Sequence, residues 1–341
     1  MAKFFRHALC IFVAAILPAT LVLASAAEST THHTKKRVTH KRIIAKTASA
    51  TYVKRTIIVN GKRRVITERV VFVPNLIEKP TAGDIAGLKH TQDPLALQSN
   101  VAFVVDQASS EVLFEKNSNV SLPIASITKL MTSLVVVESN LDMNEIIEIT
   151  TDDLDKEKST GSRLNMGAKL SRADMLHIAL MSSENRAASA LGRSYAGGLP
   201  AFVAAMNAKA KELGMSDTHY VDSTGLSSHN VASARDLVKL INAAYQHPVI
   251  REYSTDSKYV VNPSGRPLQY STTNRLVVNP GWDIGLQKTG YISEAGRCLV
   301  MRAMIEGRAI VMVFLDSKGK YSRLADAGRI RKWLETVKPQ A

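Results

Sequence analysis

The sequence predicts an α/β (α+β) domain, an antiparallel sheet flanked by helices with a helical subdomain, on three observations. Apolar alternation of strand type occurs at both ends of residues 95–341, helical periodicity fills the middle, and the preceding segment is basic and shares neither pattern. Strands at both ends of a helical stretch make one sheet only if distant segments pair, so the sheet is expected to be built from distant segments.

The chain opens with "MAKFFRHALCIFVAAILPATLVLASAAES". Lys3 and Arg6 precede an apolar core, and Ala24-Ser25-Ala26 offers a small-residue cleavage site, so residues 1–26 are expected to be a secretory signal peptide that sends the protein to the periplasm. An uncleaved anchor is the alternative, disfavoured by the short apolar run and by Pro18. Of the two cysteines, Cys10 departs with such a signal and Cys298 is left alone, so no internal disulfide is expected and the fold must rest on its core.

Residues 27–94 read as a basic linker. Residues 1–73 hold 14 Lys/Arg against 2 Asp/Glu, whereas the remainder holds 30 against 28, so +12 of the net +14 belongs to the N-terminal segment. A solvated tether is one reading; contact of residues 28–73 with an anionic surface is the other. Alternation around Asn60-Gly61 points to a hairpin at 55–73. The domain behind the linker is nearly neutral, and no nucleic-acid partner is expected.

The domain is expected over residues 95–341. "VAFVVD" and "VLFEK" read as an antiparallel pair, and a helix follows from Ser126 through Val137. Further helices are expected in "SRADMLHIALM", "NRAASALGRSYA", "LPAFVAAMNAKAKELGM" and "SARDLVKLINAAYQ". Strands return in "IGLQKTGYI", "RCLVMRAMIE" and "AIVMVFLD", and "SRLADAGRIRKWLETV" closes the chain as an amphipathic helix. His177 reads as a core or edge histidine.

The chemistry starts at "LPIASITKLMT". Ser126 stands where a helix N-cap is expected and Lys129 in the first turn, a poor place for a cation because the free amide ends already carry positive charge. Residues at i and i+3 share a helix face. A serine hydroxyl becomes a nucleophile when a base takes its proton, and lysine can be that base if burial, the helix terminus or a second cation makes it neutral. Ser-x-x-Lys recurs at Ser317–Lys320 in a polar turn, and Ser-x-Asn recurs at Ser228–Asn230. Only Ser126-x-x-Lys129, Ser183-Glu184-Asn185 and Lys288-Thr289-Gly290 appear in the order, and on the element types, of the penicillin-binding proteins.

On these motifs, and on "DSTGL", "TNRLV" and "KTGYISEAGRCLVM", the chain resembles the serine penicillin-binding proteins of the D-alanyl-D-alanine peptidase family, nearest to the D-alanyl-D-alanine endopeptidases of penicillin-binding protein 7 type. The resemblance implies a β-lactamase/transpeptidase-like fold and an endopeptidase that hydrolyses peptidoglycan cross-links through an acyl-enzyme. It assigns Ser126 as nucleophile, Lys129 as base and Ser183 as proton relay. Asn185, Lys288, Thr289 and Gly290 would bind substrate, Lys288 by keeping the field positive and Gly290 by letting substrate lie against the strand edge. The backbone N–H groups of Ser126 and Tyr291 would form the oxyanion hole. It implies no cofactor and no metal, and β-lactams as covalent inhibitors. A D-alanyl-D-alanine carboxypeptidase is the alternative. Family carboxypeptidases usually carry an extra β-rich domain, and this sequence stops soon after its last helix. A class A β-lactamase would need an E-x-x-L-N segment beyond Ser-x-Asn, which is missing. An inactive wall-binding module is disfavoured by the intact motifs.

Overall fold

Near-continuous apolar runs in an early strand, Ser99–Asp106, and a late one, Arg308–Ser317, give those strands two dry faces, and the structure uses both. The computed structural model describes residues 50–59, 62–71 and 79–336; the expected signal peptide and the Asn60-Gly61 turn lie outside them. Two units are distinguished, one ending at Leu76 and one beginning at Ile77. In the first, β1 (Ala50–Val59) pairs antiparallel with β2 (Lys62–Val71), with Val59 opposite Lys62.

The second unit opens ahead of the expected Leu95. A helical turn at Ala82–Ile85 is closed by a reciprocal cap between Thr81 and Asp84, and Thr81 Oγ1 donates to Asp316 Oδ2 at 2.9 Å. The sheet then begins with β3 (Ser99–Asp106) and β4 (Val112–Lys116). Between β4 and the later strands lie six helices of eight residues or more. These are α1 (Thr128–Glu138), α2 (Arg172–Met181), α3 (Asn185–Arg193), α4 (Gly198–Glu212), α5 (Ala234–Tyr245) and α6 (Pro248–Thr255). The chain returns to the sheet as β5 (Asp283–Ile292), β6 (Gly296–Ile305) and β7 (Arg308–Ser317), and the last described helix is α7 (Ser322–Thr336).

The sheet order is β5-β6-β7-β3-β4 with every pairing antiparallel. Val313 sits opposite Phe103, so the predicted joining of distant segments is what the structure contains. All of β3 is buried because it has a strand on either side and packing on both faces. Val101, Phe103 and Val105 face the core shared with the helical subdomain, whereas Ala102 and Val104 face the core covered by α7 through Ala327 and Ile330. This is the period of two expected of a strand with both faces covered.

Helix α1 is unlike a surface helix. Every residue from Thr128 to Val136 is buried, which identifies it as the central helix of the subdomain. Its polar groups are satisfied internally: Thr132 Oγ1 donates to Ser223 O at 2.7 Å and Ser133 Oγ to Lys129 O at 2.6 Å. Helix α6 and the small hairpin Lys258–Val261 with Leu268–Ser271 were not among the expected elements. His177 is the core histidine expected, stacked between Tyr253 and Tyr259 at 4.1 and 3.7 Å. Cys298 is buried in β6, and burial pushes its thiol up to about 12, which leaves it inert. Among the described residues no helix is long and apolar enough to cross a membrane.

Candidate active site

The turn that carries Ser126 is fixed by its neighbours. Leu122–Pro123 pairs with Val231–Ala232, and Ile124 N donates to Asn230 O at 3.1 Å. Residues Ala125–Ile127 then form a 3₁₀ turn leading directly into α1, with Ala125 at φ 48°. The expectation that Ser126 caps the helix is therefore corrected: Ile124 and Ile127 occupy the cap positions, and among the described residues no side chain caps either turn or helix. The Ser126 hydroxyl accepts instead from Lys129 Nζ at 2.9 Å.

Two glycines allow this turn to be gripped from both sides. A Cβ on Gly225, whose φ is +81°, would stand 2.0 Å from Ala125 O and 2.4 Å from Ala125 C. A Cβ on Gly290 would stand 2.9 Å from Ile124 O and 3.1 Å from Ser126 N. The absent side chain of Gly290 is thus needed for β5 to lie against the serine turn itself, rather than only to admit substrate. Gly225→Ala combines a backbone clash with a left-handed φ, and we expect chemical denaturation to show a loss of at least ~2 kcal/mol of stability.

Lys129 is fully buried and its ammonium nitrogen is held by three acceptors: Ser126 Oγ, Asn185 Oδ1 at 2.8 Å and Thr224 O at 2.6 Å. Burial pushes its pKa down to about 7, against the opposing attraction of Asp222 and then Glu184. Of the expected causes, desolvation dominates. The Asp222 carboxylate accepts from Thr224 N, Gly225 N and Ser227 N, forming the turn that aims the Thr224 carbonyl at Lys129. Asn230, which closes the second Ser-x-Asn match, holds the same turn in place. Its amide donates to Thr128 Oγ1 and Asp222 O and accepts from Val221 N.

Ser183 lies in the break between α2 and α3 with φ 64°, and its hydroxyl accepts from Lys288 Nζ at 3.0 Å. Asn185 opens α3; both ends of its amide are engaged, Oδ1 by Lys129 and Nδ2 by Thr160 Oγ1 at 3.0 Å. In the structure Asn185 therefore positions Lys129. Glu184 is the N-cap of α3 and also accepts from Ser162 Oγ at 2.7 Å.

Lys288 is fully buried, and burial first, then Lys129 and Arg323, push its pKa well below the ordinary lysine value. Thr289 Oγ1 shares a 2.6 Å hydrogen bond with Thr273 Oγ1, and Thr273 N donates to Met181 O, tying β5 to the end of α2. Tyr291 follows Gly290 in β5, exposed and one residue from the contact with the serine turn.

Arg323, which the motifs did not reveal, acts on Lys288 through its charge. It lies in the first turn of α7, is buried, and has Nε and Nη1 without a hydrogen-bond partner among the described residues. Its signal in the sequence is the same as that of Lys129: a cation where a helix terminus disfavours one. No cluster of three or more His, Cys, Asp or Glu able to hold a metal occurs among the described residues.

The family model described as D-alanyl-D-alanine carboxypeptidase, Peptidase S11, matches residues 88–319. The chain is 47% identical to the D-alanyl-D-alanine endopeptidase of Pseudomonas aeruginosa over 253 residues, 74% of this chain and 81% of that protein. It is 43% identical to the D-alanyl-D-alanine endopeptidase of Escherichia coli over 272 residues, 79% of this chain and 86% of that protein. To the D-alanyl-D-alanine carboxypeptidase DacF of Bacillus subtilis it is 30% identical over 266 residues, 76% of this chain and 67% of that protein. The crystal structure of the Streptomyces K15 DD-transpeptidase shares the fold, with a TM-score of 0.66 over 72% of this chain and 100% of that chain at 24% identity.

Proposed function

The chain belongs to the Peptidase S11 family of serine D-alanyl-D-alanine peptidases that act on peptidoglycan, and from that premise we propose that it is an endopeptidase that cuts peptide cross-links. The observation that carries the choice is the gap in similarity: 47% and 43% to two endopeptidases against 30% to the DacF carboxypeptidase. The signal peptide expected from the sequence supports a reaction in the periplasm, where the substrate is.

The geometry supports the following course. Neutral Lys129 takes the proton of Ser126 Oγ as that oxygen bonds to the carbonyl carbon of a D-alanyl peptide bond. The oxyanion faces the backbone N–H groups of Ser126 and Tyr291. As the C–N bond breaks, the proton passes by way of Ser183 to the leaving amine, and Lys129 is neutral again. Water then adds to the ester, gives its proton to Lys129, and Ser126 leaves with its hydroxyl restored. One water is consumed, and a carboxylic acid and an amine are released. Lys288 and the unpartnered guanidinium of Arg323 are suited to receive a carboxylate on the leaving half, whose negative charge would draw the Lys288 pKa back up. β-Lactams acylate Ser126 by the same first step.

Digestion of purified muropeptides tests the choice of bond. Conversion of cross-linked dimers to monomers is the expected result. Release of terminal D-alanine with dimers left intact would show a carboxypeptidase instead.

A further inference from the structure

The edge strand β5 passes Ser126 at Gly290 and ends, past Tyr291, at the rim of a separate hollow of about 530 Å3. Lys79, Arg297, Lys318 and Lys320 line it together with Tyr291 and Asp84. They come from three places in the chain: the segment around the first helical turn, the start of β6, and the loop between β7 and α7. Asp84 is already neutralised by Lys318 at 2.6 Å, and the adjacent Glu294 is taken by Lys158 at 2.7 Å. Lys79, Arg297 and Lys320 have no carboxylate partner among the described residues. The Arg297 guanidinium lies over the Tyr291 ring at 4.4 Å, which fixes that cation at the rim facing the cleft.

We propose that this hollow is a carboxylate-binding subsite for the acyl-donor peptide. The proposal rests on the endopeptidase reading, and the direction of the substrate follows from it. Ser183 and Lys288 serve the leaving half, so a peptide laid along the free edge of β5 carries its acyl half past Gly290 towards Tyr291 and the β5–β6 turn. Wall peptides bear free carboxylates on that half. Unpaired cations converging on a concave surface raise the local concentration of anions and orient a bound one. Solvated lysines on an open face would lack both the concavity and the held arginine.

The test compares two cross-linked peptide dimers, one with free carboxylates on the acyl-donor stem and one with those groups amidated, using the full chain and its Lys79→Gln/Lys320→Gln variant. The wild-type protein should favour the free acid in kcat/KM by roughly fivefold at low salt, and the ratio should shrink as salt is added. In the variant the ratio should fall towards one, with an unchanged thermal melt. A ratio that is equal in both proteins, or that ignores salt, would overturn the subsite while leaving the endopeptidase reading intact. A wild-type protein that takes a penicillin label yet cuts neither dimer would overturn both.

Discussion

Ser126→Ala is expected to give a folded protein that acquires no covalent label from a fluorescent penicillin and cleaves wall peptides at least ~10⁴-fold more slowly than the wild type. The substitution removes one oxygen from a partly exposed position in the 3₁₀ turn, and that oxygen accepts a hydrogen bond from Lys129 Nζ. The remaining two acceptors of Lys129, Asn185 Oδ1 and Thr224 O, stay in place, so the melting temperature should change little. Loss of label with an intact melt separates the nucleophile from a merely structural serine. Labelling of Ser126→Ala at the wild-type rate, detected by intact-protein mass spectrometry, would remove the basis for the acyl-enzyme.

Lys129→Arg should be nearly as damaging, with acylation slowed by about 10³-fold or more. Arginine keeps the charge and can still donate hydrogen bonds, but its guanidinium cannot lose a proton in the accessible range. The site is fully buried and cut to a single ammonium with three acceptors, so the planar fork also fits badly. If a positive charge near Ser126 were all that mattered, the arginine protein would retain much of its labelling. Acylation rates measured with benzylpenicillin, together with a thermal melt to register misfolding, decide between the two.

The sheet was legible because its signal is local. The unbroken apolar runs in "VAFVVD" and "AIVMVFLD" identify strands buried on both faces, and with a helical segment between them the two pair in one sheet. The three motifs were legible because their residue types are chemically demanding and their order is unusual. What could not be read was the set of contacts that gives each motif residue its role. The Thr224 carbonyl that holds Lys129 lies 95 positions away, and nothing local marks a backbone carbonyl as a ligand. Gly290 looks like a substrate-clearance glycine until the serine turn is seen packed against it. Asn185 carries an amide that can serve protein or substrate equally well, and only the fold shows both ends engaged. The misplaced cap at Ser126 has the same origin. Local preference favours a capping serine, but tertiary packing places its hydroxyl on Lys129. Helix α6 is eight residues long and starts at Pro248, too short to establish a period.

The mechanism requires Lys129 to be a neutral base in the free protein, and the pH dependence of Ser126 acylation tests that most directly. The amine must be unprotonated to accept the serine proton, and burial sets its pKa at about 7. Below that value each unit of acidification should therefore slow acylation by benzylpenicillin about tenfold, and above it the rate should level off. The ligand's own carboxylate does not titrate in this range, so the inflection belongs to the protein. A rate that is flat from acid to alkaline pH, or that continues to climb towards the ordinary lysine range, would contradict the assignment.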